Sequence, residues 1–256
     1  MFSFDKKLEY ACVLIIIAAV FDVMDGFMAR KLNAKSEIGK NLDSFADVIS
    51  FGLAPAIIIF HLTKLYYVKS GWFSSLMKPG FSDYLMLGSG FILVIFAAIR
   101  LAKFNIEKSS KYFTGLPTPA MALFVISLPV IVFHYEKTTL ATLILNQYTI
   151  ITTTLILSFL MISKIKFIGF KEFNHNKKTR ILLYIFYILS FGIILFFLIF
   201  ESKNLFQTEN ILKSQLDFFV SFIKTCIPGI PLIIFLYIII SIINQLFKIK
   251  NDEIYS

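Results

Sequence analysis

Long apolar runs alternate with short polar segments along the whole chain, and seven of the runs have the length of a membrane-crossing helix. At 1.5 Å per residue, about 20 apolar residues cross a hydrocarbon core about 30 Å thick. The runs extend from about Leu8 to Arg30, Gly39 to Leu62, Tyr84 to Ala102, Pro119 to His134, Leu140 to Ser163, Ile181 to Phe200 and Phe218 to Phe247. "GLPTP", Gly115 to Pro119, opens the fourth run, where proline suits a helix start. "IPGIP", Ile227 to Pro231, lies inside the seventh, where two prolines remove backbone donors and predict a kink. With no internal repeat, low-complexity tract or dividing linker, residues 1–256 read as one all-α, polytopic helical bundle in a membrane.

Composition agrees with the pattern. Hydrophobic residues make up 57% of the chain and charged ones 16%, with 30 phenylalanines among 256 residues. A soluble domain averages about 45–50% apolar and 25% charged, so an ordinary soluble enzyme is excluded. The net charge of +9 gathers between the runs, which points to topology and anionic lipid rather than nucleic acid. Four segments are basic: the stretch with Arg30, Lys31, Lys35 and Lys40, that with Lys103, Lys108 and Lys111, the loop Lys164 to Arg180, and the tail "KIKND". The positive-inside rule places all four on the cytoplasmic side. Seven spans then leave Lys6 and Lys7 outside, against the same rule, so an eighth helix upstream is expected. Tyr66, Tyr67 and Trp72 read as an interfacial aromatic belt. Cys12 and Cys226 have neither disulfide nor zinc spacing, and His61, His134 and His175 have no partners at ligand spacing.

One stretch breaks the apolar logic: "FDVMDGFMARKLNAKSEIGKNLDSFADVISF", Phe21 to Phe51. On a helix Asp22, Asp25, Gly26, Ala29 and Arg30 fall at i, i+3, i+4, i+7 and i+8 and share a face. Gly39, Asp43 and Asp47 repeat every four residues and form a stripe on the next helix. The short connection makes the two helices antiparallel neighbours, so the stripes can converge near the cytoplasmic boundary. An aspartate at mid-membrane costs roughly 2.5–3.5 kcal/mol, so four left in lipid would cost about 10–14 kcal/mol. Converging carboxylates repel unless protonated or bridged by cations. Hard oxygen donors next to small residues suit Mg2+ or Mn2+ with a phosphate-bearing ligand. A divalent-cation transporter would also use intramembrane acids, but it calls for them at mid-span on several helices.

The run Asp22-x2-Asp25-Gly26-x2-Ala29-Arg30-x8-Gly39-x3-Asp43-x3-Asp47 resembles the complete signature of the CDP-alcohol phosphotransferases. "LDSFADVISFGLAPA", "IRLAKFNIE" and "YFTGLPTPAMA" are similar to segments of the phosphatidylserine synthases within that family, over about Phe21 to Ala122. The resemblance implies a catalytic core over about residues 9–135, with additional spans over about 140–247, and a homodimer. It implies transfer of a phosphatidyl group from CDP-diacylglycerol to L-serine, with CMP released. A sister reaction on inositol, glycerol phosphate or another alcohol is the alternative. Asp22, Asp25 and Asp43 would hold the metal, and Asp47 would be the general base while touching a second metal. Gly26, Arg30 and Ser36 would face the CDP-lipid, with Ala29 and Gly39 giving clearance. A serine substrate needs a cation for its carboxylate and an acceptor for its ammonium; Arg100, Lys103 and Asn105, in the family-like "IRLAKFN", are the candidates. "GLPTP" would help line the pocket. Family members begin with one further helix that lines the nucleotide site, which again predicts a chain longer at its N-terminus.

Overall fold

The computed structural model describes residues 2–32, 36–71, 80–106, 113–167, 177–207 and 225–254. Two compact units emerge, Met1–Lys108 with Pro117–Ile162, and Ser109–Leu116 with Ser163–Ser256.

The first unit holds α1 (Phe2–Lys31), α2 (Glu37–Asp47), one π-helical turn (Val48–Leu53), α3 (Ala54–Lys69), α4 (Phe81–Gly88), α5 (Phe91–Ile106), α6 (Thr118–His134), α7 (Thr139–Ile144) and α8 (Gln147–Ile162). Helix α6 is apolar on every side and buried continuously from Val125 to Val132, as a central helix should be. It packs on α1, α3 and the π-turn. Helix α5 lies between the π-turn and α8, with the Phe96 and Phe159 rings edge to face at 5.6 Å. Gly52 makes the first contact close, since a Cβ there would stand 3.3 Å from that of Ala97. Buried Thr154 and Ser158 on α8 donate their hydroxyls to the carbonyls of Ile150 and Thr154 at 2.7 and 2.8 Å, so neither is left unpaired in an apolar setting.

The second unit contains a two-residue antiparallel ladder, β1 (Phe113–Thr114) on β2 (Lys166–Phe167), then α9 (Lys177–Gln207), a 3-10 turn (Ile227–Gly229) and α10 (Ile230–Ile254). Gly115 follows β1 at φ +77°, a left-handed conformation suited to glycine, and its N–H donates to the Ile165 carbonyl at 3.0 Å. The Phe167 ring lies 5.3 Å from that of Tyr237, and Leu183 of α9 packs with Ile240 of α10. "IPGIP" forms the tight turn that opens α10, where the prolines lack N–H groups a helix start does not need. The expected run from Phe218 to Phe247 is helical over its described part, from Thr225 on, with the 3-10 turn at the prolines, and residues 218–224 lie outside the described residues.

The membrane architecture is all-α and polytopic, with corrections to the expected spans. Among the described residues, four segments are long and apolar enough to cross: Tyr10–Ala29, Glu37–Lys69, Arg180–Ile199 and Ile227–Leu246. A fifth arises if α4 and α5, which meet at a bend of 43°, act together as one broken span over the expected Tyr84 to Ala102. Leu140 to Ser163 is likewise interrupted: the Asn146 side chain accepts the Tyr148 N–H at 2.9 Å and starts α8 afresh. Helices α6 and α8 are apolar but only 17 and 16 residues long. The span begun at Gly39 continues seven residues beyond Leu62, to Lys69. The aromatic belt is corrected at Tyr67, which is 1% exposed and donates its hydroxyl to Asp83 Oδ1 at 2.9 Å. Trp72, Lys35, Lys108, Lys111 and His175 lie outside the described residues.

Candidate active site

Helix α2 begins where Ser36 accepts the Gly39 N–H on its hydroxyl oxygen at 2.9 Å, an N-cap followed by the acidic Glu37. A Cβ on Gly39 would stand 2.9 Å from that same oxygen, so the cap and the glycine fit together. From this start the four-residue repeat carries Asp43 and then Asp47 along one side of α2. Helix α1 brings Asp22 and Asp25 alongside. One carboxylate oxygen from each of Asp22, Asp25 and Asp43 lies within 4.8 Å of the others. Asp22 is half-buried, whereas Asp25 and Asp43 are exposed. Asp47, one turn further on, interacts electrostatically with Asp22 and Asp43. The two stripes converge.

Their distance from the far end of α3 follows from helix geometry. Asp47 precedes Lys69 by about six turns of the continuous segment Glu37–Lys69, or about 30 Å. Lys69 pairs with Glu136 at 2.6 Å beyond the end of α6. A hydrocarbon core is about 30 Å thick, so the helix length between the acids and that ion pair is about one core width.

Beside the carboxylates opens a cavity of about 740 Å³, bounded by Asp25 and Asp43, by the small residues Gly26, Ala29, Ser36 and Gly39, and by Glu37 and Lys40. Its size falls in the range of small-molecule sites. Arg30 occupies the last turn of α1, and its side chain lies outside the described part of the structure. Oxygens sharing one octahedral Mg2+ at 2.0–2.1 Å stand about 3–4 Å apart, so small side-chain rotations bring the three carboxylates onto a common ion. The donor set is hard oxygen throughout, and the residues present fit a divalent metal.

The predicted acceptor residues lie on the C-terminal half of α5. The Arg100 Nη1 donates to Thr118 Oγ1 at 3.4 Å, and its guanidinium acts electrostatically on Asp47. Lys103 is exposed one turn further on. Asn105 donates its amide Nδ2 to Ser44 Oγ at 2.8 Å, a contact to α2. Sequence reasoning had not singled out Glu37 or Ser44, and it read Lys40 only as a loop cation. Lys40 and Ser44 repeat at i and i+4, a polar stripe one position round from the aspartates, and that spacing was the available signal.

Comparison with known proteins identifies the family. Residues 1–163 match the family model described as CDP-alcohol phosphatidyltransferase, a stretch that ends one residue past the end of the first unit. A CDP-diacylglycerol–serine O-phosphatidyltransferase of Helicobacter pylori is 34% identical over 193 residues, covering 71% of this chain and 70% of that protein. One from Bacillus subtilis is 36% identical over 167 residues, 64% of this chain and 77% of its own length. An archaetidylserine synthase of Methanothermobacter thermautotrophicus is 36% identical over 140 residues, 53% of each chain. The chain belongs to the CDP-alcohol phosphatidyltransferase family. It is an integral membrane enzyme of that class, which displaces the cation-transporter alternative. Family members use a divalent metal, in keeping with the acidic group on α1 and α2.

Proposed function

We propose that the protein transfers the phosphatidyl group of CDP-diacylglycerol to the hydroxyl of L-serine, giving phosphatidylserine and CMP. The observation that carries this reading is the convergence of four carboxylates from two helices beside a cavity walled by small residues, with the Arg100 guanidinium acting electrostatically on Asp47. Serine is the acceptor common to the names of the three relatives above.

Asp22, Asp25 and Asp43, with Asp47 shared, would hold Mg2+ or Mn2+. When bound, the metal neutralises diphosphate charge and stabilises the charge that gathers as CMP leaves. Gly26, Ala29 and Gly39 leave the CDP-lipid room beside the backbone, Ser36 faces it, and Arg30 offers a planar fork to phosphate oxygens. Arg100 and Lys103 receive the serine carboxylate. The Nδ2 of Asn105 is engaged with Ser44, so its Oδ1 is the atom for the serine ammonium. Asp47 takes the proton from the serine hydroxyl. A bond forms between that oxygen and the lipid-bearing phosphorus, and the bond from this phosphorus to the CMP oxygen breaks. CMP departs as a phosphate monoester, so the leaving group needs no strong acid. The site faces the cytoplasm of a bacterial inner membrane, and a homodimer is the assembly the family resemblance implies; crosslinking in native membranes checks it.

Purified protein given CDP-diacylglycerol, Mn2+ or Mg2+ and a panel of labelled alcohols provides the test. Serine-dependent CMP release should fall about 10²–10⁴-fold in Asp47→Asn, the range for loss of a general base. Release with inositol or glycerol phosphate but not serine would reassign the acceptor.

A further inference from the structure

Helix α2 carries Asp43 and Asp47, yet not one of its side chains is buried. Apolar packing holds its roll about its own axis only from one end, where α2 runs without a break into the π-turn with its buried Phe51 and Gly52. That rotation decides whether Asp43 and Asp47 face Asp22 and Asp25, because a turn of one position moves a side chain by about 100°.

A closed set of polar contacts adds a constraint nearer the free end of α2. Lys40 Nζ donates to the backbone carbonyl of Asn105 at 3.2 Å, Asn105 Nδ2 donates to Ser44 Oγ at 2.8 Å, and Ser44 Oγ donates to the Lys40 carbonyl at 3.1 Å. The Asn105 carbonyl lies in the last turn of α5, where helix carbonyls lack intrahelical partners and the dipole favours a cation. Asn105 is thus held by backbone and side chain at once, by two α2 residues one turn apart. Lys40 and Ser44 are each one position beyond Gly39 and Asp43, so the stripe that grips α5 lies a quarter-turn from the stripe of carboxylates.

We infer that Lys40, Ser44 and Asn105 form a clasp that, together with the buried π-turn, fixes the roll of α2, aiming Asp43 and Asp47 at Asp22 and Asp25 and holding the acids in register with Arg100 on α5. Ser44 is the positioning residue that joins the two sides. The inference rests on the metal reading of the carboxylates proposed above and assigns the device that aligns them.

Mn2+ alone is the probe, its free concentration read from the six-line electron paramagnetic resonance signal during titration of the purified full-length protein. Ser44→Ala should weaken Mn2+ binding about tenfold, the lower end for loss of a partner behind metal ligands. The melting temperature should be unchanged, and Ser44→Thr, which keeps the hydroxyl, should bind nearly as the wild type does. Should the alanine variant prove too unstable to purify, Ser44→Thr and Ser44→Val, equal in shape and different in the hydroxyl, make the same comparison. Equal Mn2+ affinity with and without the hydroxyl overturns the clasp while leaving the metal site standing. Failure of the wild type to bind Mn2+ sinks the metal reading, and the aligning role with it.

Discussion

A methyl group on Gly90 would stand 2.6 Å from the carbonyl oxygen of Ala56, with the Ile59 Cβ at 3.0 Å. The break between α4 and α5 therefore sits where the chain passes almost in contact with the α3 backbone. Ala56 cannot yield without moving its helix, so Gly90→Ala should cost about 1–3 kcal/mol, as overpacking of a dense interior does. Gly88, two residues earlier, has open space where its Cβ would be, and Gly88→Ala should leave stability equal or slightly raised. Thermal melts of the two variants in detergent read the contrast.

Ser36 has two roles that substitution can separate. Its oxygen caps α2, and it lines the cavity beside the carboxylates. Ser36→Ala removes the cap, should cost about 1 kcal/mol and should speed amide exchange at Gly39. Ser36→Asp keeps a capping acceptor and should restore the slow exchange. The same aspartate adds negative charge where the diphosphate is proposed to lie, so the KM for CDP-diacylglycerol should rise in Ser36→Asp above that of Ser36→Ala. A lower KM in the aspartate variant would place the diphosphate elsewhere.

The aspartate stripes were legible in the sequence because helical period is a local property and carboxylates stand out in apolar runs. Their convergence followed from one short connection. The break at Ser89 and Gly90 was not legible, since hydropathy averages over it and its cause is the approach to Ala56 on another helix. The π-turn over Val48–Leu53 was hidden for the same reason: nothing in "VISFGL" marks it, and it lies where Gly52 meets Ala97. Tyr67 read as an interfacial residue because its partner, Asp83, is 16 residues away. The clasp of Lys40 and Ser44 on Asn105 likewise depends on where α5 ends in space.

The ion pair of Lys69 and Glu136 should matter little. The Lys69 ammonium, hydrogen-bonded to Glu136 Oε1, holds the Glu136 carboxyl below the usual carboxylate range. A carboxyl depressed on folding stabilises above its unfolded value, and that contribution disappears as pH falls through the folded one. Glu136 is exposed, so water and salt screen the pair. Glu136→Gln should therefore melt with the wild type at physiological salt. Any difference should emerge only at low ionic strength near neutral pH, and should vanish once the medium is acid enough to protonate the carboxyl.

Arg100 offers the sharpest test of the acceptor end. Its guanidinium is held by Thr118 Oγ1 and acts on Asp47, so a carboxylate bound by it would bring the adjoining serine hydroxyl toward the proposed base. Lipid and nucleotide are proposed to bind along α1 and α2, away from this contact. Arg100→Ala should raise the serine KM about 10–100-fold, the equivalent of one charged hydrogen-bonded contact, with the CDP-diacylglycerol KM little changed. Arg100→Lys keeps the charge and loses the planar fork, so it should fall between the two. If both KM values rose together in Arg100→Ala, the arginine would instead be supporting Asp47 and the α5 framework, and the serine carboxylate would have to be sought at Lys103.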